Sequence, residues 1–418
     1  MRVGIVGSGA AGLCTAWLLE RDHEVTVFEK DVRFGGHAET VPVTLGGKTY
    51  AVDTGIHFFA PLLQPRFMRL LDHLKAPYRA YRPTAVFHHE GTGRTVCLPP
   101  FGNAGRLRTL GQPGAIGTLL NFRKLIQCGI PLVEDGGDPF VTLEDFLAGS
   151  PVPRAFQEDF VFPYLSSYWG VDPETVRGYA ARNALAYLVI LRPPVVTPRP
   201  MCEMVGGMQA YIDLLVGDLQ RTTLLDDTGV SHVRRVDDTY EITTSRGTTH
   251  VVDHLVIATN AEQARGLLEN LPGSEDARRA LEGVRYFGTT IAVHGDTRLM
   301  PPNRAHWSTA NALFDGTYCA TTDWGDSNRD VDLFRSWVTH RAALPDPCYA
   351  EVRYRHPHPT PDYFRAQQAL RPLQGQDNLW FTGMYVDYFD NHDGAVRSAM
   401  RVGEALAPES ARLDALRA

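Results

Sequence analysis

Two glycine turns stand within the first 36 residues of this 418-residue chain, and both have the make-up of an anion cradle. Gly7-Ser-Gly9-Ala-Ala11-Gly12 follows a short apolar run at 3–6 and precedes a helix-forming stretch at 13–20. In a strand, turn and helix of this kind, the first glycine allows the tight turn and the second lets backbone approach a pyrophosphate. The third lets helix pack close to strand. The diphosphate then lies on the positive end of the helix dipole. A second apolar run, 24–28, ends at Glu29, 22 residues after Gly7. A carboxylate there accepts hydrogen bonds from both hydroxyls of an adenosine ribose, and its charge disfavours a 2′-phosphate. These residues predict a dinucleotide site and leave NAD and FAD both open. The second turn, Gly35-Gly36, permits a second close backbone approach. Lys30 and Arg33 before it can complement the charge of a diphosphate.

Other residues with chemistry to offer lie further on. His57 follows the Asp53-Thr-Gly55-Ile56 turn. Asp390 and His392 sit in a polar-aromatic loop, 385–392, ahead of the helical stretch 396–406; the bland role for either is capping. Trp169, Trp307 and Trp324 are candidates for an apolar wall, although aromatic residues more often serve plain core. Positioning these groups takes alternating elements: strands at 3–6, 24–28, 223–236, 240–244 and 254–258, and strand-like alternation at 287–296 and 332–338. A helix is expected over 67–74. The proline run 192–200 breaks any helix and is read as a crossing between domains.

Arg33-Phe-Gly35-Gly36-His37-Ala-Glu-Thr40 resembles the R-x-G-G-x-x-x-T signature of FAD enzymes of the glutathione-reductase and amine-oxidase superfamily. In the amine-oxidase branch the residue after the glycine pair is usually arginine; His37 stands there instead. The turn at Gly55 and Ile56 resembles the one that brings backbone against the flavin ring. Met204-Val-Gly206-Gly207-Met208 is similar to the return from substrate domain to FAD domain, and Val230 stands where relatives place a backbone group on the adenine. The strand ending at Gly383, with Asp393-Gly394-Ala395 opening a helix, resembles the element aimed at the flavin pyrimidine edge and ribityl chain. Met384 replaces the acidic residue often found there. Segments 162–170, 286–308 and 354–357 extend the likeness to a bacterial group of predicted NAD/FAD-binding proteins related to amine oxidases, phytoene desaturases and fatty-acid double-bond isomerases.

The resemblance implies an α/β fold, with a Rossmann-like FAD-binding domain of the glutathione-reductase type at 1–60, 200–265 and 375–418. A mixed-sheet and helical substrate domain is expected at 61–199 and 266–374. It implies a FAD-dependent oxidoreductase that takes hydride from a C–H bond of a small or lipid-like substrate to flavin N5. A redox-neutral double-bond isomerase, an amine oxidase lacking its usual lysine, and a non-catalytic flavoprotein are the alternatives. His57, His392 and Asp390 are the catalytic candidates.

Composition narrows the choice. With 41 basic and 48 acidic residues the net charge is −7, which argues against nucleic acid as a partner. Six scattered cysteines form no zinc-site spacing, so no metal is expected, and they fit a reduced, cytoplasmic protein. The chain opens directly on its first strand, predicting no leader, and its longest lipid-like stretch, 184–191, is too short to span a bilayer. Peripheral membrane contact and oligomeric state stay open. Only Lys30, Lys48, Lys75 and Lys124 are lysines. Amine oxidases of this superfamily commonly carry a late lysine in the substrate-domain sheet that holds a water against flavin N5. Here that device is absent unless an arginine or histidine replaces it, which shifts the balance toward desaturase-like or isomerase-like chemistry.

Overall fold

The structure, a computed structural model, describes residues 1–192, 198–387, 389 and 391–417. Its centre is a five-stranded parallel sheet with Arg2–Val6 in the middle, flanked by Glu24–Phe28 and Thr223–Leu225 on one side and by His254–Ile257 and Leu379–Phe381 on the other. Val3, Ile5, Val25, Val27, Leu255, Val256 and Ile257 are buried because both faces are covered, as parallel sheets require. Helices Ala10–Leu19 and His392–Leu406 pack against each other on one face. The three-stranded antiparallel sheet Val230–Val236, Thr239–Thr244 and Thr249–Val252 covers the other. It approaches so closely at Gly4 that a side chain there would meet Ile242 Cδ1 at 2.7 Å.

The alternation over 223–236 predicted one strand, and the structure divides it. Thr223–Leu225 joins the parallel sheet, whereas Val230–Val236 starts the antiparallel one. The intervening Asp226-Asp227-Thr228-Gly229 carries a positive φ of 45° at Asp227, so the chain turns there. Elsewhere the expected elements form with small shifts: the helix expected over 67–74 spans Pro65–His73, and the one expected from 396 starts at His392. Within the proline run, residues 193–197 lie outside the described residues.

A seven-stranded mixed sheet stands opposite, in the order Cys348–Pro357, Tyr286–His294, Phe334–Trp337, Cys319–Asp323, Ala310–Phe314, Ala85–His89 and Thr95–Leu98. Register pairs Asp323 with Arg335, Ile291 with Trp337 and Thr289 with Tyr354. Side chains alternate across a strand, so Arg335 and Trp337 share one face, as do Tyr354 and His356. Helices between Ala104 and Ile190 close the far side around Phe87, Phe160, Tyr164 and Leu185. Two antiparallel ribbons, Thr40–Leu45 with Lys48–Asp53 and Tyr78–Tyr81 with Met201–Met204, link the two halves.

Candidate functional site

The first glycine turn is built as its spacing predicts. Gly7 has φ 106°, and a Cβ on Gly12 would lie 2.0 Å from the Gly7 carbonyl oxygen, so both positions are closed to side chains by the fold itself. Gly9 differs: a Cβ there would meet nothing within 4 Å. Its backbone faces open space at the start of the Ala10–Leu19 helix, which has no side-chain cap and no acidic residue in its first turn. The helix end therefore keeps amides free and carries an uncompensated positive dipole. Ala11 is buried behind it. Glu29 is buried beside the turn, accepting hydrogen bonds from the Ser8 amide at 2.9 Å and hydroxyl at 2.6 Å.

The second turn leans on the first through a bridge between Gly9 and Gly35, with Gly35 at φ 116° and Gly36 at φ 56°. Arg33 braces it from within, donating to the carbonyl oxygens of Phe34, Gly36 and Ala38 and to the Gln209 side chain. Lys30 is exposed and paired with Asp31. His37 packs on Tyr354 with ring centroids 4.8 Å apart. Burial, and then the charge of Arg33, pushes its pKa down to about 4. Near neutral pH it is a neutral hydrogen-bonding group and offers no charge where an arginine would.

The Asp53–His57 turn ties the two halves together. Asp53 accepts from the Thr40 hydroxyl and from the Met208 amide at 2.7 Å, and burial pushes its pKa up to about 7. A Cβ on Gly55 would fall 2.0 Å from the His37 carbonyl oxygen, so the turn with Ile56 lies directly on the second glycine turn. From the opposite sheet the buried Arg335 donates to the carbonyl oxygens of Thr54 and Gly55, each at 3.1 Å, and to Asp323 Oδ2 at 2.9 Å. His57 Nε2 lies 3.4 Å from the same carboxylate oxygen. Burial pushes Asp323 up to about 6 despite the guanidinium, and burial with the charge of Arg335 holds His57 well below the usual histidine range. His57 leaves 24% of its side chain accessible.

Arg335 and Asp323 were not singled out from sequence. The signal pointing to Arg335 was the lysine-free chain after Lys124, which calls for a different cation in the late sheet. Among the other candidates, His392 is turned into the core: its ring lies 4.7 Å from Phe67, Nε2 meets the Tyr211 hydroxyl at 2.7 Å, and burial lowers its pKa to about 3. A ring so held is a neutral imidazole at neutral pH, with Nδ1 left unpaired. The Asp393 carboxylate accepts from the amides of Arg66 and Phe67 at the start of the Pro65–His73 helix. Gly394 donates its amide to the Asn391 side chain, and a Cβ there would meet the Phe389 carbonyl oxygen at 2.6 Å. Ala395 is buried, Gly383 turns with φ 141°, and Val230 is half-buried at the start of its strand. Asp390 lies outside the described residues. Trp307 packs on Trp324 at 5.4 Å, whereas Trp169 sits apart against Tyr179.

Residues 10–312, well over half of the chain, match the family described as flavin containing amine oxidoreductase. The chain belongs to that family. It is thus a FAD-dependent oxidoreductase. No curated protein matches it. Solved structures similar to this flavin amine oxidoreductase include the putative protoporphyrinogen oxidase from Exiguobacterium sp. 255-15, at 16% identity and TM-score 0.64, covering 98% of this chain and 99% of that one. The CLA-producing fatty acid isomerase from P. acnes aligns at 14% identity and TM-score 0.69, covering 98% of each chain. Cyclohexylamine oxidase from Brevibacterium oxydans IH-35A aligns at 14% and 0.69, covering 98% of this chain and 99% of that one. At such identities the likeness is one of fold.

The residues present suit the cofactor. Besides the open backbone at Gly9, the buried polar atoms without a hydrogen-bond partner among the described residues include Nδ1 of His392, Nε2 of His356, Nδ2 of Asn391 and the Tyr385 hydroxyl. The His356 ring lies 5.6 Å from that of His37, tilted by 56°, and Tyr385 packs on Gly383. Each unpaired group of this kind costs about 1–3 kcal/mol, which a polar ligand reaching it would relieve.

Proposed function

We propose that this flavin amine oxidoreductase removes hydride from a C–H bond of an uncharged, small or lipid-like substrate held beside the Gly55–His57 turn, which Arg335 braces from the mixed sheet. FAD, when bound, supplies the two-electron acceptor. Glu29 would hold its ribose. The amides at the start of the Ala10–Leu19 helix, with Gly7, Gly9, Ala11, Gly12, Gly35 and Gly36, would hold its diphosphate, and Val230 would meet the adenine. Gly55, Ile56, His37, Gly383, Gly394 and Ala395 would line the ring and ribityl chain.

The observation that carries the choice of substrate is the Asp323–Arg335 pair. An ammonium substrate entering a buried site needs a carboxylate to meet it. Asp323, the buried carboxylate beside this turn, is already neutralised by a guanidinium at 2.9 Å, and His57 is neutral. A site without net negative charge favours a neutral carbon chain. Forming a double bond releases one hydrogen as hydride with both electrons of its bond and a second as a proton, whose bonding electrons become the new π bond. We assign the relay of that proton to the His57–Asp323 contact, with the neutral imidazole as the acceptor.

The test is anaerobic mixing of the holoenzyme with unsaturated fatty acids and with primary amines while the flavin absorbance is followed. Persistent bleaching by a neutral substrate supports net oxidation. Transient bleaching with a rearranged double bond in the product would replace it by isomerisation, and bleaching by amines alone would overturn the reading.

A further inference from the structure

The chain is acidic overall, yet no Asp or Glu occurs between Glu90 and Glu134, a stretch that carries Arg94, Arg106, Arg108, Arg123 and Lys124. The same stretch holds Phe101, Leu107, Ile116 and Leu120, four of the twelve large apolar side chains exposed among the described residues. Ile116 and Leu120 are 66% and 56% exposed, and their spacing of four puts them on one side of the Ala115–Glu134 helix. Exposed Arg123 and Lys124 occupy the next turn of that side. The opposite side is fixed inward by Leu125, Gly129, Leu132 and Val133; a Cβ on Gly129 would lie 2.8 Å from Val189 of the neighbouring Ala181–Ile190 helix. The apolar pair is therefore outward by construction and is not a frayed piece of core.

Among the described residues no carboxylate pairs with Arg108, Arg123 or Lys124. Unpaired cations beside exposed Ile, Leu and Phe, with acids excluded, are the composition of a helix that lies in a membrane interface. No described helix is long and apolar enough to cross one. A second copy of the chain is a poor occupant, since a two-fold contact through this patch would set the same cations against each other.

We propose that the segment 101–124 docks this enzyme onto an anionic phospholipid surface, with Ile116 and Leu120 entering the interface and Arg108, Arg123 and Lys124 meeting lipid phosphates. The proposal is independent of the substrate. It does place the docking helix one layer from the site: Tyr187 on the neighbouring helix packs its ring 6.0 Å from that of Phe58, next to His57.

The experiment is sedimentation of the FAD-loaded enzyme with vesicles of phosphatidylcholine alone or with one-third phosphatidylglycerol. Wild type binds the phosphatidylglycerol vesicles at least tenfold more tightly, and added salt weakens that binding. Ile116→Glu with Leu120→Glu weakens it at least tenfold with unchanged flavin content and circular dichroism. Each neutralised cation is worth about fivefold, so Arg123→Gln with Lys124→Gln costs an order of magnitude or more. No retention of wild type on anionic vesicles, retention indifferent to both double variants, or dissociation of a lipid-free dimer by Ile116→Glu with Leu120→Glu would each overturn the proposal.

Discussion

Replacing Arg335 by methionine removes two hydrogen bonds that join the mixed sheet to the Gly55 turn, to the Thr54 and Gly55 carbonyl oxygens at 3.1 Å, and the bond to Asp323 of its own sheet at 2.9 Å. It leaves the buried Asp323 with only His57 Nε2 at 3.4 Å. Breaking a buried pair from one side costs about 3–5 kcal/mol, a large share of the roughly 5–15 kcal/mol that holds a protein folded. The loss depends on pH with a definite sign. The Asp323 pKa is already raised to about 6 in the folded protein against an ordinary 3.8, and without the guanidinium it rises further. A raised carboxyl gives stability that is complete below the unfolded value and is lost as pH rises through the folded value. Arg335→Met therefore costs more at pH 8 than at pH 5. Asp323→Asn added to Arg335→Met removes the stranded charge and brings the loss back to about 1–2 kcal/mol. Urea unfolding of the four proteins at both pH values measures this cycle. Equal losses at the two pH values, with strictly additive single effects, would refute the reasoning.

Other expectations follow from the same geometry. Gly9→Val leaves the unfolding free energy of the FAD-free protein within about 1 kcal/mol of wild type, because its Cβ meets open space, yet weakens FAD binding at least 100-fold by equilibrium dialysis. Gly12→Val does the reverse in order: the protein is destabilised by more than about 3 kcal/mol before cofactor is considered, since the new Cβ falls on the Gly7 carbonyl. His392, with its pKa lowered to about 3 from 6.5, contributes stability that is present above pH 6.5 and lost as pH falls toward the folded value. Between pH 6.5 and 5 that amounts to about 2 kcal/mol, and His392→Gln flattens this part of the urea-midpoint profile.

What could be read from the sequence is what local backbone chemistry dictates. The two glycine turns, Glu29 and the Asp53–His57 turn depend on residues within 60 positions of one another, and their conformational demands are visible in residue type. The break at 226–229 was hidden because the alternation of apolar residues continues across it, while the change of sheet is imposed by pairing with Glu24–Phe28 on one side and Thr239–Thr244 on the other. The Asp323–Arg335 pair depends on the register of two antiparallel strands, and its meaning depends on a turn some 280 residues earlier in the chain. No local pattern encodes that. The contacts of His392 with Phe67 and Tyr211 come from distant elements and leave no trace in its local sequence.

The claim that this flavin amine oxidoreductase works on an uncharged carbon chain is tested most directly by the anaerobic rate of flavin bleaching with two substrates of equal length that differ only in an ammonium group. The neutral member should reduce the holoenzyme at least 100-fold faster at pH 7.5, and Arg335→Met, by leaving Asp323 to pair with an ammonium group, should narrow that ratio. A wild-type enzyme reduced faster by the ammonium substrate would contradict the account.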